Sequence, residues 1–174
     1  MKVISFLITF LLFSGLTIAQ KKADYGLLQK SGEEVIFGFS LKNSNKIVLL
    51  CYQKDDKYIV YRFGTKDKLE LQYPSVLNAA SWKAFRYSGY SRAGVNNSPM
   101  EMHSLTFKNN HISYKIYEDW EGDHHESDAG IIVKAESKKT KLVGNASSKN
   151  GSLQLLMDKE DLIHNYYQED TEGY

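Results

Sequence analysis

Lys46–Pro74 reads KIVLLCYQKDDKYIVYRFGTKDKLELQYP, three apolar runs separated by two polar turns. Lys68–Tyr73 alternates, with Leu69, Leu71 and Tyr73 on one side and Lys68, Glu70 and Gln72 on the other. A period of two marks a strand with one wetted face. Lys57–Phe63 is rich in aromatic and β-branched residues, which favour extended backbone. Gly64-Thr65-Lys66-Asp67 and, one strand earlier, Gln53–Asp56 supply the turns. The stretch predicts a three-stranded antiparallel meander.

The flanking sequence extends the pattern. Glu34–Leu41 aligns Val35, Phe37, Phe39 and Leu41, and Gly38 marks a bulge or bend. Pro74 ends the third meander strand because it donates no ladder hydrogen bond. Trp82–Tyr90 reads as a further strand, and Ser91–Pro99 as the longest run of turn formers. Glu101–Phe107 and His111–Tyr117 form a hairpin, with His103, Leu105 and Phe107 on one face and Ile112, Tyr114 and Ile116 on one face. Ala129–Glu136, Leu142–Ala146 and Ser152–Met157 follow as strands. Asp158 is placed to cap a short C-terminal helix, with Leu162, Ile163, Tyr166 and Tyr167 as its apolar stripe. The expectation is all-β: an antiparallel meander closing into a barrel or sandwich of about 8–10 strands with that one short helix.

Residues 1–19 have the form of a signal peptide, with Lys2 ahead of an apolar run from Val3 to about Ile18 and Ala19 at the cleavage point. Residues 20–174 are then expected to form a single exported β-domain, periplasmic or secreted, with 168–174 as a frayed tail. No transmembrane segment is expected after cleavage. The 22 basic and 21 acidic residues nearly balance, and loss of Lys2 would make the balance even, so no bulk field recruits nucleic acid. Cys51 is the one cysteine and sits among apolar neighbours. It reads as a small buried hydrophobe, not a reactive thiol. With no disulfide, the core must hold by packing, to which 12 Tyr, 8 Phe and 2 Trp contribute.

Two stretches carry polar groups dense enough for a site. Phe85–Gly94 sets Arg86, Tyr87, Ser88, Tyr90 and Arg92 around Gly89 and Gly94, a composition suited to contacting a protein partner. The plainer reading is a strand passing into an ordinary loop. Glu118–Asp128 is an acidic loop in which Asp123, His124, His125 and Asp128 could hold a metal, although neither the HExxH nor the EF-hand spacing occurs. A solvated hairpin loop accounts for the same residues. No cofactor is expected beyond weak divalent-cation binding there. No Gly-x-Ser-x-Gly elbow is present, so catalysis has little support.

Tyr58-Ile59-Val60-Tyr61-Arg62-Phe63-Gly64, Leu69-Glu70-Leu71-Gln72-Tyr73-Pro74 and Phe85-Arg86-Tyr87-Ser88-Gly89-Tyr90 resemble small exported proteins of Gram-negative bacteria, over Cys51 to about Glu118. That resemblance brings no established activity. Ser88-Gly89-Tyr90-Ser91 also resembles the Ser-Gly-x-x-Tyr loop of periplasmic lysozyme inhibitors, which are small β-barrels or sandwiches. It implies a serine hydroxyl, Ser88, meeting catalytic carboxylates and a basic residue, Arg92, pairing with them. Arg92 stands where that pattern has Tyr, and Cys51 has no partner for the disulfide some inhibitors carry. The first expectation is therefore an exported, non-enzymatic binding protein, an inhibitor of a cell-wall hydrolase such as lysozyme or of a toxin. The second is a structural, envelope-associated β-domain without a discrete site. A metal-dependent hydrolase using Asp123, His124, His125 and Asp128 ranks last.

Overall fold

The computed structural model describes residues 23–92, 98–122 and 126–165. The predicted signal peptide, Asp123, His124, His125, Tyr166, Tyr167 and the tail lie outside them. The meander is present as β2 (Ile47–Gln53), β3 (Ile59–Thr65) and β4 (Lys68–Tyr73), preceded by β1 (Glu33–Ser40). Then come β5 (Arg86–Arg92), β6 (Met100–Asn109), β7 (Ile112–Glu121), β8 (Glu126–Ala135) and β9 (Lys138–Val143). Two-residue strands, β10 (Asn150–Gly151) and β11 (His164–Asn165), complete the set.

These strands form a sandwich and not a barrel. One sheet runs β10-β1-β2-β3-β4 and the other β11-β5-β6-β7-β8-β9. All pairings are antiparallel except β11 with β5. The sheets meet at one corner, where Leu41 bridges Gly144 and the Asn145 amide donates to the Ser40 carbonyl at 2.8 Å. There the chain leaves the second sheet and returns to the first as β10.

Between the sheets lies the main core. Phe37, Phe39, Val48, Leu50 and Tyr61 come from one side, and Phe85, Tyr87, Leu105, Phe107, Ile116 and Ile131 from the other. A smaller cluster covers the opposite face of the first sheet, where Tyr25 and Leu28 pack on Leu49, Cys51 and Val60. Burial on both faces explains why β2 reads as an unbroken apolar run. Burial pushes the Cys51 thiol up to about 12, so its thiolate is roughly a thousandfold scarcer than in an exposed cysteine. Native protein at pH 8 is expected to resist Ellman's reagent, and to react with one equivalent in denaturant. Rapid native labelling would contradict the buried-hydrophobe reading.

Several boundaries differ from the sequence expectation, each for a local reason. The β1 register shifts between Val35 and Phe37, so the bulge falls at Ile36 and not at Gly38. Val35 therefore packs with the smaller cluster, while Ile36 joins Phe37 and Phe39 in the main core. In β4, Gly64 pairs with Leu69 and Phe63 with Leu71, leaving Glu70 unpaired. That extra residue turns Leu69 away from the core that takes Leu71 and Tyr73. Trp82 is not in a strand. It closes a 3-10 turn, Ala79–Ala84, whose start is capped by the Asn78 side chain.

The C-terminal segment is corrected most. Leu153–Lys159 is a 3-10 helix capped by Ser152, where a strand was expected. Leu153 and Leu156 are its buried residues, and their three-residue spacing suits one face of that tighter helix. The helix expected from Asp158 onward does not form over the described residues. The chain turns instead, buries Ile163, and adds β11 beside β5.

Candidate functional site

Strand alternation divides Arg86–Arg92 between two environments. Tyr87 and Gly89 point into the sandwich and are buried, whereas Arg86, Ser88 and Tyr90 stand on the outer face. Arg92 donates from Nε and Nη2 to the Ser98 carbonyl at 3.1 and 2.9 Å. The six predicted contact residues are thus brought together on one strand, but they do not share one surface. Ser88 sits in a strand paired with β6, where the inhibitor resemblance implies a loop.

On the outer face, Tyr90 pairs across strands with Met102. They are 50% and 45% exposed, large for apolar side chains in adjacent register. A shallow groove of about 240 Å³ runs beside them, lined by Ser88, Ser104, Tyr117, Asp119, Ile132 and Lys141 among others. Tyr117 lies across Gly130, where a Cβ would come within 2.4 Å of its hydroxyl. Lys141 Nζ sits 5.0 Å from the centre of the Tyr117 ring and donates to Asp128 Oδ2 at 3.2 Å. Partial burial raises the Asp119 carboxyl above its ordinary value, and the neighbouring Asp128 adds to the rise.

Charge on this face is segregated by register. One cross-strand row holds Arg86, Thr106, Lys115, Ile132 and Lys141, and the next holds Lys108, Ser113, Lys134 and Lys139. Both rows contain cations and no acid. The acids Asp119 and Asp128 lie on the other side of the Ser88–Ser104–Tyr117–Gly130 row.

The inner face presents a second site near one end of the sandwich. Going outward from Leu105 and Ile116, the next paired residues on that face are His103 and Glu118, then Glu101 and Trp120. His103 Nδ1 shares a 2.8 Å hydrogen bond with the Tyr87 hydroxyl, and both groups are buried. Gly89 makes this possible, since a Cβ there would fall 2.6 Å from the Tyr87 hydroxyl. His103 is 3% exposed, and its Nε2 is buried with no hydrogen-bond partner among the described residues.

Glu118, 6% exposed, is held from three directions. Lys149 Nζ donates to Oε1 at 2.9 Å, while the Ser152 hydroxyl and the Leu153 amide donate to Oε2 at 2.8 and 2.7 Å. Lys149 also reaches the Ser127 hydroxyl at 3.0 Å. Glu101, His103, Glu118, Trp120, Lys149 and Ser152 line a cleft of about 350 Å³.

The predicted metal set is not assembled in what is described. Asp123, His124 and His125 lie outside the described residues. Asp128 is on β8, where Lys141 and the Tyr117 hydroxyl donate to it. Among the described residues no group of three His, Cys, Asp or Glu side chains is placed to hold an ion. Glu118 was missed because Glu118–Asp128 reads as one acidic loop, whereas Glu118–Glu121 belongs to β7 and Glu126–Asp128 to β8. The signal was present: continuing the alternation of Tyr114 and Ile116 leads to Glu118 and Trp120. Among the described residues no helix is long and apolar enough to cross a membrane. Compared with protein families, characterised proteins and solved structures, the chain matches none.

Proposed function

We propose that this is an exported, non-enzymatic binding protein whose outer β5–β9 face docks a protein partner that presents carboxylates. The exposed Tyr90–Met102 pair carries this reading. It shares its cross-strand row with Asp119 and Asp128, and past the intervening Ser88–Ser104–Tyr117–Gly130 row lie two rows of cations free of acids. Tyrosine anchors supply contact area at low entropic cost, and a segregated field of one sign steers an oppositely charged partner. A cell-wall hydrolase of the glycosidase type fits that chemistry, since its cleft holds paired carboxylates. Ser88 and Arg86 lie on the same strand face as Tyr90 and extend the contact; Tyr87 and Gly89 shape the strand from within.

The test is titration of purified protein against c-, g- and i-type lysozymes in a cell-wall turbidity assay, with binding followed by calorimetry. For an enzyme that is bound, Tyr90→Ala is expected to weaken affinity by about thirtyfold, equivalent to ~2 kcal/mol. Lys134→Glu with Lys139→Glu is expected to slow association and flatten its dependence on salt. Absence of binding to every lysozyme type would remove the hydrolase as partner. Unchanged affinity in both variants for a bound enzyme would remove the outer face as the contact.

A further inference from the structure

Although His103 borders both it and the outer groove, the cleft on the inner face carries its own chemistry. We infer that it is a binding site for a small neutral polyhydroxylated ligand of monosaccharide size. The volume of about 350 Å³ falls near the lower end of the roughly 300–1,000 Å³ usual for small-molecule sites, which limits the occupant to a compact molecule. Trp120 offers a flat apolar wall, and Glu101, Lys149 and Ser152 offer acceptors and donors on the others. A pyranose has this two-sided character, with a C–H face for the indole and hydroxyls around its rim.

The preference for a neutral ligand rests on the ion pair inside the cleft, outside which Glu101 remains as an acceptor in the lining. Lys149 and Glu118 are bonded to each other, so neither field is left whole for a charged ligand. The buried, unpartnered His103 Nε2 supplies the decisive contact. With Nδ1 engaged by Tyr87, Nε2 is a donor in one tautomer and an acceptor in the other. A hydroxyl satisfies either tautomer, whereas a carboxylate or an ammonium satisfies only one. Leaving such a group unpaired in a buried setting costs free energy that a bound hydroxyl recovers.

Purified protein would be titrated with glucose, galactose and N-acetylglucosamine, and with methylammonium and acetate as charged probes. Trp120 and the fully buried Trp82 are the only tryptophans, so a saturable change in emission reports on the cleft. At least one sugar is expected to saturate at or below about 50 mM, with the charged probes silent. His103→Asn keeps a polar atom near Nδ1 for Tyr87 and removes Nε2; it should weaken that sugar at least tenfold. Trp120→Leu, read by calorimetry, should do the same with an unchanged melting temperature, and it serves if His103→Asn fails to fold. No saturable response to any sugar, saturation by methylammonium or acetate instead, or sugar affinity unchanged in Trp120→Leu would each overturn the assignment.

Discussion

Glu33→Ala is expected to lower unfolding stability by about 3–5 kcal/mol, measured by urea denaturation at neutral pH. Glu33 and Arg62 form a two-pronged ion pair, Nη1 to Oε2 at 2.6 Å and Nη2 to Oε1 at 2.8 Å. Both side chains are essentially out of water, at 0% and 1% exposure. Most of the remaining hydrogen-bonding capacity is also met. Arg62 donates to the Leu28 carbonyl and to Gln72, while Glu33 accepts from the Lys30 amide and the Tyr58 hydroxyl. Truncating Glu33 leaves a buried guanidinium without its counter-charge, and that desolvated cation is the source of the loss. The pair ties the 3-10 turn at Gly26–Leu28 to β1, β3 and β4, so the smaller cluster should loosen with it.

The same pair gives a pH signature. Burial alone would raise the Glu33 carboxyl, but the hydrogen bonds from Arg62 and the Lys30 amide outweigh it and hold the pKa below the ordinary value of 4.5. A depressed folded-state pKa contributes stability above the unfolded-state value and loses it as pH falls through the folded one. The gap between wild type and Glu33→Gln should therefore be full above pH 4.5 and shrink with acidification below it. Replacing both partners, Glu33→Leu with Arg62→Met, should recover much of the single-variant loss, because no charge is left stranded. A Glu33→Ala loss under about 1 kcal/mol, the range of exposed pairs, would show that water reaches the site.

What the sequence made legible followed strict alternation. The meander, the β6–β7 hairpin and the inward faces of His103, Leu105 and Phe107 all come from period-two patterns that the folded chain keeps. Patterns interrupted by one residue misled. Bulges at Ile36 and Glu70 reverse the facing of Val35 and Leu69, and a bulge is set by pairing with a partner strand, which composition does not encode. Ser152–Met157 has a run apolar enough for a strand, yet the Ser152 cap and the Leu153 amide bond to Glu118 draw it into a 3-10 helix. The candidate sites divide along the same line. Tyr90 and Arg86 were legible as candidate contact residues, and both are exposed on β5. The cleft at His103 and Glu118 was not, since it needs Lys149 and Ser152, more than thirty residues further along the chain, to close over it.

Phe107→Ala should cost a further large amount, about 3–5 kcal/mol, for a different reason. Phe107 is 4% exposed and lies where the two sheets interlock. Tyr73 and Tyr114 stack on it with centroids 4.4 and 4.7 Å away, and Tyr61 and Phe85 approach at 5.0 and 5.5 Å at steeper angles. Tyr61 and Tyr73 belong to the first sheet, whereas Phe85 precedes β5 and Tyr114 is on β7. Removing the ring therefore opens a cavity between sheets that are joined by backbone contacts at only one corner among the described residues. Four aromatic neighbours lose a contact worth about 0.5–1.5 kcal/mol each beyond area burial, a sum that partial collapse of the cavity reduces. Phe107→Leu separates volume from ring geometry, because it restores most of the apolar bulk but no stacking. Its loss should be roughly half that of Phe107→Ala, and chemical denaturation of the two variants measures the difference. Equal losses would locate the stability in the ring stack itself. A Phe107→Ala loss near 1 kcal/mol would mean that the sheets close over the gap, and that this aromatic layer does not fix their spacing.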